Sequence, residues 1–154
     1  MKGRNQLRTL LTAALLFPGL ALAQESEQKV RMKDLPPAVQ ATVKAQSKGA
    51  QIRGLSRETE KGQTLYEVEL KISGHNKDVL IDESGKVISV EEQVTLDSLP
   101  AAVKAEIQKQ AGRGRIAMIE WVTKDGTLAY YEAHIKGGGK MREIKVSPDG
   151  ALVK

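Results

Sequence analysis

Apolar side chains recur with a helical period in two short segments of the chain. Leu35, Val39 and Val43 stand four residues apart, and this spacing places them on one face of an α-helix. Pro36 suits the first turn of such a helix, where a missing N–H group removes no hydrogen bond. The segment from Leu99 to about Ala111 has the same pattern. The sequence therefore predicts two amphipathic helices.

After each helical segment the apolar period changes to two, which is typical of β-strands. The alternation is clearest from residue 64 to residue 72. We predict strands at residues 51–60, 64–72, 77–82 and 86–94 after the first helix, and at residues 115–123, 127–136, 140–146 and 151–154 after the second. Because short turns separate the strands, each group is expected to form an antiparallel meander.

The two groups of elements are copies of one another. The pattern Leu-Pro-x-Ala-Val at residues 35–39 returns at residues 99–103, at an offset of 64. Tyr66 returns as Tyr131, at an offset of 65. A fixed offset indicates duplication. The change of offset means that one residue was gained or lost in one copy, between Gly62 and Tyr66 or their counterparts.

The two copies are predicted to share one fold of the α+β class. Repeat 1 at residues 34–94 and repeat 2 at residues 97–154 are each small, since about 60 residues bury only about 60% of their unfolded surface. We therefore expect tandem helix-plus-four-stranded antiparallel repeats in one continuous sheet of about eight strands, with both helices on one face. Aromatic residues make up 3% of the chain, so the core is expected to be aliphatic.

The N-terminal residues have the features of a secretory signal peptide. A basic start is followed by an apolar run that ends at Ala21-Leu22-Ala23, an A-x-A cleavage site. We predict a signal peptide at residues 1–23, cleavage after Ala23 and a periplasmic or secreted protein. An uncleaved N-terminal anchor is the alternative. Residues 24–33 are polar without periodicity, and we expect a flexible arm there.

Charge and cysteine content narrow the class of partner. The formal net charge of +5 falls to about +2 when Lys2, Arg4 and Arg8 leave with the signal peptide. This removes most of the case for nucleic-acid binding, and no stable membrane insertion is expected after cleavage. The chain has no cysteine, which excludes disulfides and thiolate metal sites.

Strand alternation also predicts which side chains lie on the sheet face away from the helices. They are Tyr130, Glu132, His134 and Lys136 in repeat 2, and Leu65, Glu67, Glu69 and Lys71 in repeat 1. In a regular hairpin Trp121, with Ile119, points the same way as Tyr130. Exposed Trp and Tyr beside mixed charges are typical of a protein-recognition patch. The alternative is that Trp121 packs into the core, because a one-residue register shift reverses every side chain.

No pattern typical of catalysis or of a metal site is found. The motif G-x-S-x-G does not occur, and acid pairs such as Glu91-Glu92 are typical of solvated strands. Glu132 and His134 share a strand face, but two ligands do not make a metal site. We predict that the protein is not an enzyme and has no catalytic residue, cofactor or metal.

The repeated motifs resemble a known family. They are Leu-Pro-x-Ala-Val at a helix start, a glycine turn, Tyr-Glu-Val on the second strand and Asp-x-x-Gly-Lys-Val near the end. They consist of Leu35, Pro36, Ala38, Val39, Gly62, Tyr66, Glu67, Val68, Asp82, Gly85, Lys86 and Val87, then Leu99, Pro100, Ala102, Val103, Gly126, Tyr131, Glu132, Asp149 and Gly150. This pattern is similar to the PepSY-like family, also described as beta-lactamase-inhibitor-like. The resemblance implies a secreted or periplasmic module that binds or inhibits other proteins, peptidases among them.

Two functions of different classes follow as hypotheses. The first is a non-enzymatic binding module, including an inhibitor of a hydrolase or peptidase, that acts through the exposed sheet face. Its partner-binding residues would be Trp121, Tyr130, Glu132, His134, Glu67 and Glu69. The second is a periplasmic small-ligand or metal-ion sensor that uses Glu132, His134, Glu67 and Glu69. A purely structural component of the cell envelope is a third possibility.

Overall fold

A computed structural model describes residues 26–60 and 62–153, which form an α+β fold. The helices are α1 (Pro37–Gln46) and α2 (Ala101–Ala111). The strands are β1 (Ser26–Lys29), β2 (Gln51–Glu60), β3 (Gln63–Ile72), β4 (His75–Asp82), β5 (Val87–Gln93), β6 (Arg115–Lys124), β7 (Thr127–Gly137), β8 (Lys140–Val146) and β9 (Leu152–Val153). Short 3₁₀ turns at Met32–Asp34 and Leu96–Ser98 precede the helices.

All the described strands belong to one antiparallel sheet in which the spatial order equals the chain order. The two repeats meet where β5 pairs with β6, so the sheet runs without interruption from one repeat into the other. This confirms the predicted α+β class and the continuous sheet. The sheet has nine strands in the described part of the chain, one more than the predicted number.

The extra strand corrects the prediction of a flexible arm at residues 24–33. Residues 26–29 form β1, which pairs with β2 through partners such as Gln28 and Arg57. An edge strand is held by backbone hydrogen bonds and needs no apolar alternation, so its polar sequence gave no signal. The predicted signal peptide at residues 1–23 lies outside the described residues.

Each helix covers its own half of the same sheet face and buries an aliphatic cluster. Val39 and Val43 of α1 pack on β3 and β4, and Val103 and Ile107 of α2 pack on β6, β7 and β8. The first cluster comprises Leu35, Val39, Val43, Tyr66, Val68, Leu70, Val79 and Ile81, and the second comprises Leu99, Val103, Ile107, Ile119, Ala133 and Val146. Neither described helix combines the length and the apolarity needed to cross a bilayer.

A contact between an alanine and a glycine of the repeated motif occurs in both repeats. It explains why both of these residues are small. Gly85, in the turn after β4, lies against Ala38 in the first turn of α1, and a Cβ added at Gly85 would come within 2.8 Å of the Ala38 carbonyl oxygen. In repeat 2 a Cβ on Gly150 would come within 2.8 Å of the Ala102 Cβ atom. The Thr42 hydroxyl also donates to the Gly85 carbonyl oxygen over 2.6 Å. The Ala and Gly of the repeated motifs therefore join each helix to its sheet.

A β-bulge in repeat 2 contains the extra residue and changes the orientation of Trp121. Val122 pairs with Tyr130 while Thr123 pairs with Leu128, so Ala129 has no partner in β6. Trp121 consequently pairs with Tyr131 on the helix-covered face. The prediction that Trp121 and Ile119 share a face with Tyr130 is therefore wrong, because it assumed a regular hairpin.

Candidate functional site

The sheet face opposite α1 and α2, here called the open face, is not covered by a helix in the described part of the chain. Cross-strand partners lie on the same face, and the core residues identify the helix-covered side. The partners therefore place on the open face all the predicted side chains other than Trp121 and Ile119, which are Leu65, Glu67, Glu69, Lys71, Tyr130, Glu132, His134 and Lys136.

Carboxylates extend along the open face from one strand to the next. Each strand from β1 to β8 contributes at least one, and among them are Glu27, Glu58, Glu67, Glu69, Asp78, Glu91, Glu120, Glu132 and Glu143. Several lysines of this face, such as Lys71, Lys124 and Lys136, lie near strand ends. The middle of the open face is therefore rich in acidic groups.

Glu67 occupies the repeat 1 part of this acidic row. Burial raises the pKa of Glu67 to about 7, and the neighbouring carboxylates of Glu58, Glu69 and Glu27 act in the same direction. The Ser56 hydroxyl donates to Glu67 Oε2 over 3.3 Å. Glu67 thus exchanges its proton near neutral pH, and a nearby positive charge would favour its ionised form.

Glu91 behaves in the same way at the centre of the sheet. Burial raises the pKa of Glu91 to about 7, and the carboxylates of Glu120 and Glu132 add to the shift. Sequence reasoning did not select Glu91, because a Glu-Glu pair on a strand is common on solvated surfaces. Its cross-strand partners are Asp78 on one side and Val122 on the other, and they place Glu91 on the open face.

A buried cluster surrounds His134 on β7. His134 Nε2 lies 3.2 Å from Glu120 Oε2 and 3.6 Å from Glu132 Oε1, and Nδ1 lies 3.5 Å from Glu143 Oε1. The hydrogen bond with Glu120 and the three carboxylates raise the pKa of His134, although burial acts in the opposite direction. Sequence reasoning missed Glu120 and Glu143 because they come from β6 and β8. The pairing Glu120–Glu132 and His134–Glu143 follows from the strand register.

Tyr130 forms the edge of this cluster and is paired with lysines. Its hydroxyl lies 3.5 Å from Lys145 Nζ, and the Lys145 and Lys124 ammonium groups lie 4.9 and 5.5 Å from its ring centre. Lys145 Nζ also lies 3.4 Å from Glu132 Oε2. Tyr130 is only 6% exposed, so its side chain is packed within the open face and does not project from it.

The predicted residues form two groups and not one site. Glu67 and Glu69 lie on β3, while Glu132 and His134 lie on β7, four strand spacings away. At about 4.8 Å per spacing the groups are roughly 19 Å apart. One metal ion or small ligand therefore could not contact all four residues of the sensor hypothesis at once, and they would belong to two separate places on the open face.

Comparison with known proteins gives a family and several similar folds. The family model described as "Putative beta-lactamase-inhibitor-like, PepSY-like" matches twice, at residues 23–89 and 88–154. A BLIP-like protein from Bacteroides fragilis NCTC 9343 aligns at 17% identity over 78% of this chain and 84% of its own, with a TM-score of 0.58. A "putative periplasmic" protein from Bacteroides eggerthii DSM 20697 aligns at 18% identity over 78% and 86%, with a TM-score of 0.65. A DUF2874 family protein from Bacteroides ovatus ATCC 8483 aligns at 19% identity over 78% and 85%, with a TM-score of 0.61.

These identities are low, and the structural likeness therefore concerns the fold. The search of curated proteins finds no match. The two family matches follow one another along the chain, as the duplication predicts, and together cover the whole described fold. The chain therefore belongs to the family described as beta-lactamase-inhibitor-like, PepSY-like, and contains two tandem copies of its unit.

Proposed function

We propose that the protein is a non-enzymatic periplasmic binding module that holds a partner protein against the open face. The partner is expected to present lysine or arginine side chains to the acidic middle of the sheet. Of the predicted binding residues, Glu67 and Glu69 contact the partner, joined by Glu91, while Tyr130, Glu132 and His134 are 2–6% exposed and support that surface from within. Trp121 is left out because it lies on the helix-covered face.

The observation that carries the proposal is the crowding of carboxylates on an uncovered sheet face. Glu67 and Glu91 have pKa values of about 7, which means that ionising them in the unbound protein is unfavourable. A partner's cationic groups would remove that repulsion and gain charge-assisted hydrogen bonds. Charge complementarity of this kind sets the choice of partner and the association rate more than the total affinity.

The comparisons support the cellular address and the kind of partner. The similar Bacteroides eggerthii structure is described as periplasmic, which agrees with the signal-peptide features at residues 1–23. The family is described as beta-lactamase-inhibitor-like, and the similar Bacteroides fragilis structure is described as BLIP-like. We therefore propose a hydrolase or peptidase as the partner, with its activity lowered while it is bound.

The test is capture of the partner from a periplasmic extract, followed by affinity measurements with the captured protein in pure form. Replacing two acids of the open face, Glu67→Gln with Glu91→Gln, should weaken binding at least about tenfold and reduce its dependence on salt. The matched control, Glu106→Gln with Glu83→Gln, removes two carboxylates from helix α2 and a turn. It should leave the affinity unchanged.

Trp121→Ala provides a second control that separates the two sheet faces. Because Trp121 lies on the helix-covered side, its truncation should leave partner affinity unchanged. Loss of binding in Trp121→Ala, or full binding in the open-face double variant, would show that the partner uses another surface. A hydrolase whose activity stays constant on binding would remove the inhibitor part of the proposal.

A further inference from the structure

We propose that Glu132, His134 and Glu143 bind a divalent transition-metal ion of the zinc type. Glu132 and His134 also belong to the proposed partner surface, but the inference concerns the chain alone and is tested without a partner. Each of the three side chains offers one ligand atom, and these atoms all lie within 4.8 Å of one another. The neighbouring strands β7 and β8 supply them, so their spacing is set by the sheet register.

The arrangement of the histidine ring agrees with a metal ligand. Nδ1 faces Glu143 at 3.5 Å, while Nε2 is held by Glu120 at 3.2 Å. A metal-binding histidine commonly donates its other ring N–H to a carboxylate, which fixes the tautomer and the ring orientation. In this arrangement Glu120 is a positioning residue, and Nδ1 is the nitrogen left for the ion. The Glu132 carboxylate, whose Oε1 lies 3.6 Å from Nε2, would turn toward Nδ1 to bind the same ion.

A second, independent observation is an unsatisfied carboxylate oxygen in the same cluster. Glu132 is 2% exposed, and its Oε2 atom is buried without a hydrogen-bond partner among the described residues. Lys145 Nζ lies 3.4 Å away, so its contact with this oxygen is a long ion pair. A buried carboxylate without its full set of partners is unfavourable, and a bound cation would supply the missing partner.

The charged groups around His134 also favour a bound cation. Three carboxyl groups, those of Glu120, Glu132 and Glu143, lie within 3.6 Å of His134, whereas one lysine, Lys145, contacts Glu132, so acidic groups outnumber basic ones here. A divalent cation would balance this excess of acidic groups. The Glu143 side chain is 30% exposed, which gives an ion a route from solvent.

The ligand set selects the class of ion. One imidazole nitrogen and two carboxylate oxygens suit Zn²⁺ and its neighbours, whereas Ca²⁺ and Mg²⁺ prefer oxygen ligands only. Three protein ligands leave a fourth position for water or for a group from another molecule. The sensor hypothesis already included Glu132 and His134, but the sequence did not indicate Glu143, because this third ligand comes from another strand.

The test is a calorimetric titration of the metal-free full chain with Zn²⁺, and a parallel titration with Ca²⁺. Zn²⁺ should bind saturably with one ion per chain, whereas Ca²⁺ should not saturate the site. His134→Gln and Glu143→Gln should each weaken Zn²⁺ binding at least about tenfold, since even loss of a supporting group costs this much. Glu106→Gln, on helix α2, should bind Zn²⁺ like the original chain.

Two results would overturn the inference. One is the absence of saturable Zn²⁺ binding, and the other is unchanged Zn²⁺ affinity in both ligand variants, which would assign the heat to scattered surface carboxylates. Far-ultraviolet circular dichroism checks that the variants are folded. If buried His134→Gln fails this check, Glu143→Gln decides the question, because Glu143 is at the exposed side of the cluster.

Discussion

Replacing Glu67 by Gln should stabilise the folded protein at pH 8 and change its stability little at pH 4. Burial and nearby carboxylates raise the pKa of Glu67 to about 7, from an ordinary value of 4.5. Between these values the folded state holds a proton that the unfolded state has released. The Glu67 contribution is therefore present below pH 4.5 and is lost as the pH rises through about 7. The expected gain at pH 8 is about 2–3 kcal/mol, measured by urea unfolding.

Glu106→Gln is the matched control, because the pKa of Glu106 is shifted in the opposite direction to that of Glu67. Hydrogen bonds from Gln110 and Lys109 lower the pKa of Glu106 on α2, so its contribution is present above its ordinary pKa and is lost in acid. Glu106→Gln should therefore produce no gain at pH 8. If Glu67→Gln gave the same change in the free energy of unfolding at pH 4 and pH 8, the crowding of carboxylates on the open face would be refuted.

Replacing Gly85 by Ala should destabilise the protein by about 3 kcal/mol. Gly85 has φ of +86°, where a non-glycine residue costs about 1–2 kcal/mol. The added Cβ would also lie 2.8 Å from the Ala38 carbonyl oxygen, a backbone atom that cannot rotate away. Such overpacking adds about 1–3 kcal/mol. The measurement is the free energy of unfolding in urea.

Gly126 separates the two causes of this loss. It has φ of +76°, but a Cβ there would meet no atom within 4 Å. Gly126→Ala should therefore lower the free energy of unfolding only by the backbone cost, about 1 kcal/mol. Equal losses at Gly85 and Gly126 would mean that the contact between the turn and helix α1 contributes nothing. Gly150→Ala should behave like Gly85→Ala, since the contact recurs in repeat 2.

The elements and the core could be predicted because their signals are local and occur twice. The helical spacing of Val39 and Val43 and the alternation along β3 each depend on neighbouring residues. The apolar side chains that these two patterns select are buried, as expected. The duplication then predicted that the two units share one continuous sheet. The edge strand β1 gave no such signal, because backbone pairing with β2 forms it without an apolar pattern.

The orientation of Trp121 was predicted incorrectly although the sequence contained the necessary signal. The offset between the copies changes from 64 to 65 between Gly126 and Tyr131, which is where Ala129 forms the bulge. Repeat 1 has no bulge there, and Arg57, the counterpart of Trp121, pairs with Tyr66. Placing the extra residue inside the hairpin would have assigned Trp121 to the helix-covered face.

The acidic row and the His134 cluster could be predicted only in part, because they depend on contacts between strands. Alternation alone placed Glu132 and His134 on one face. Which residues of β6 and β8 lie beside them depends on register, and the bulge in the β6–β7 hairpin alters it. Glu120 and Glu143 are 12 and 11 positions from Glu132 along the chain, but in the sheet they pair with Glu132 and His134.

The central claim is that a partner protein docks on the open face, and site-directed photo-crosslinking tests it most directly. The chain has no cysteine, so a single introduced cysteine carries the label. Lys136→Cys places it on the open face, and Ala105→Cys places it on the exposed side of α2. In a periplasmic extract, the label at position 136 should crosslink one protein that is absent from the sample labelled at position 105. Crosslinking of the same protein from position 105 alone would contradict the account.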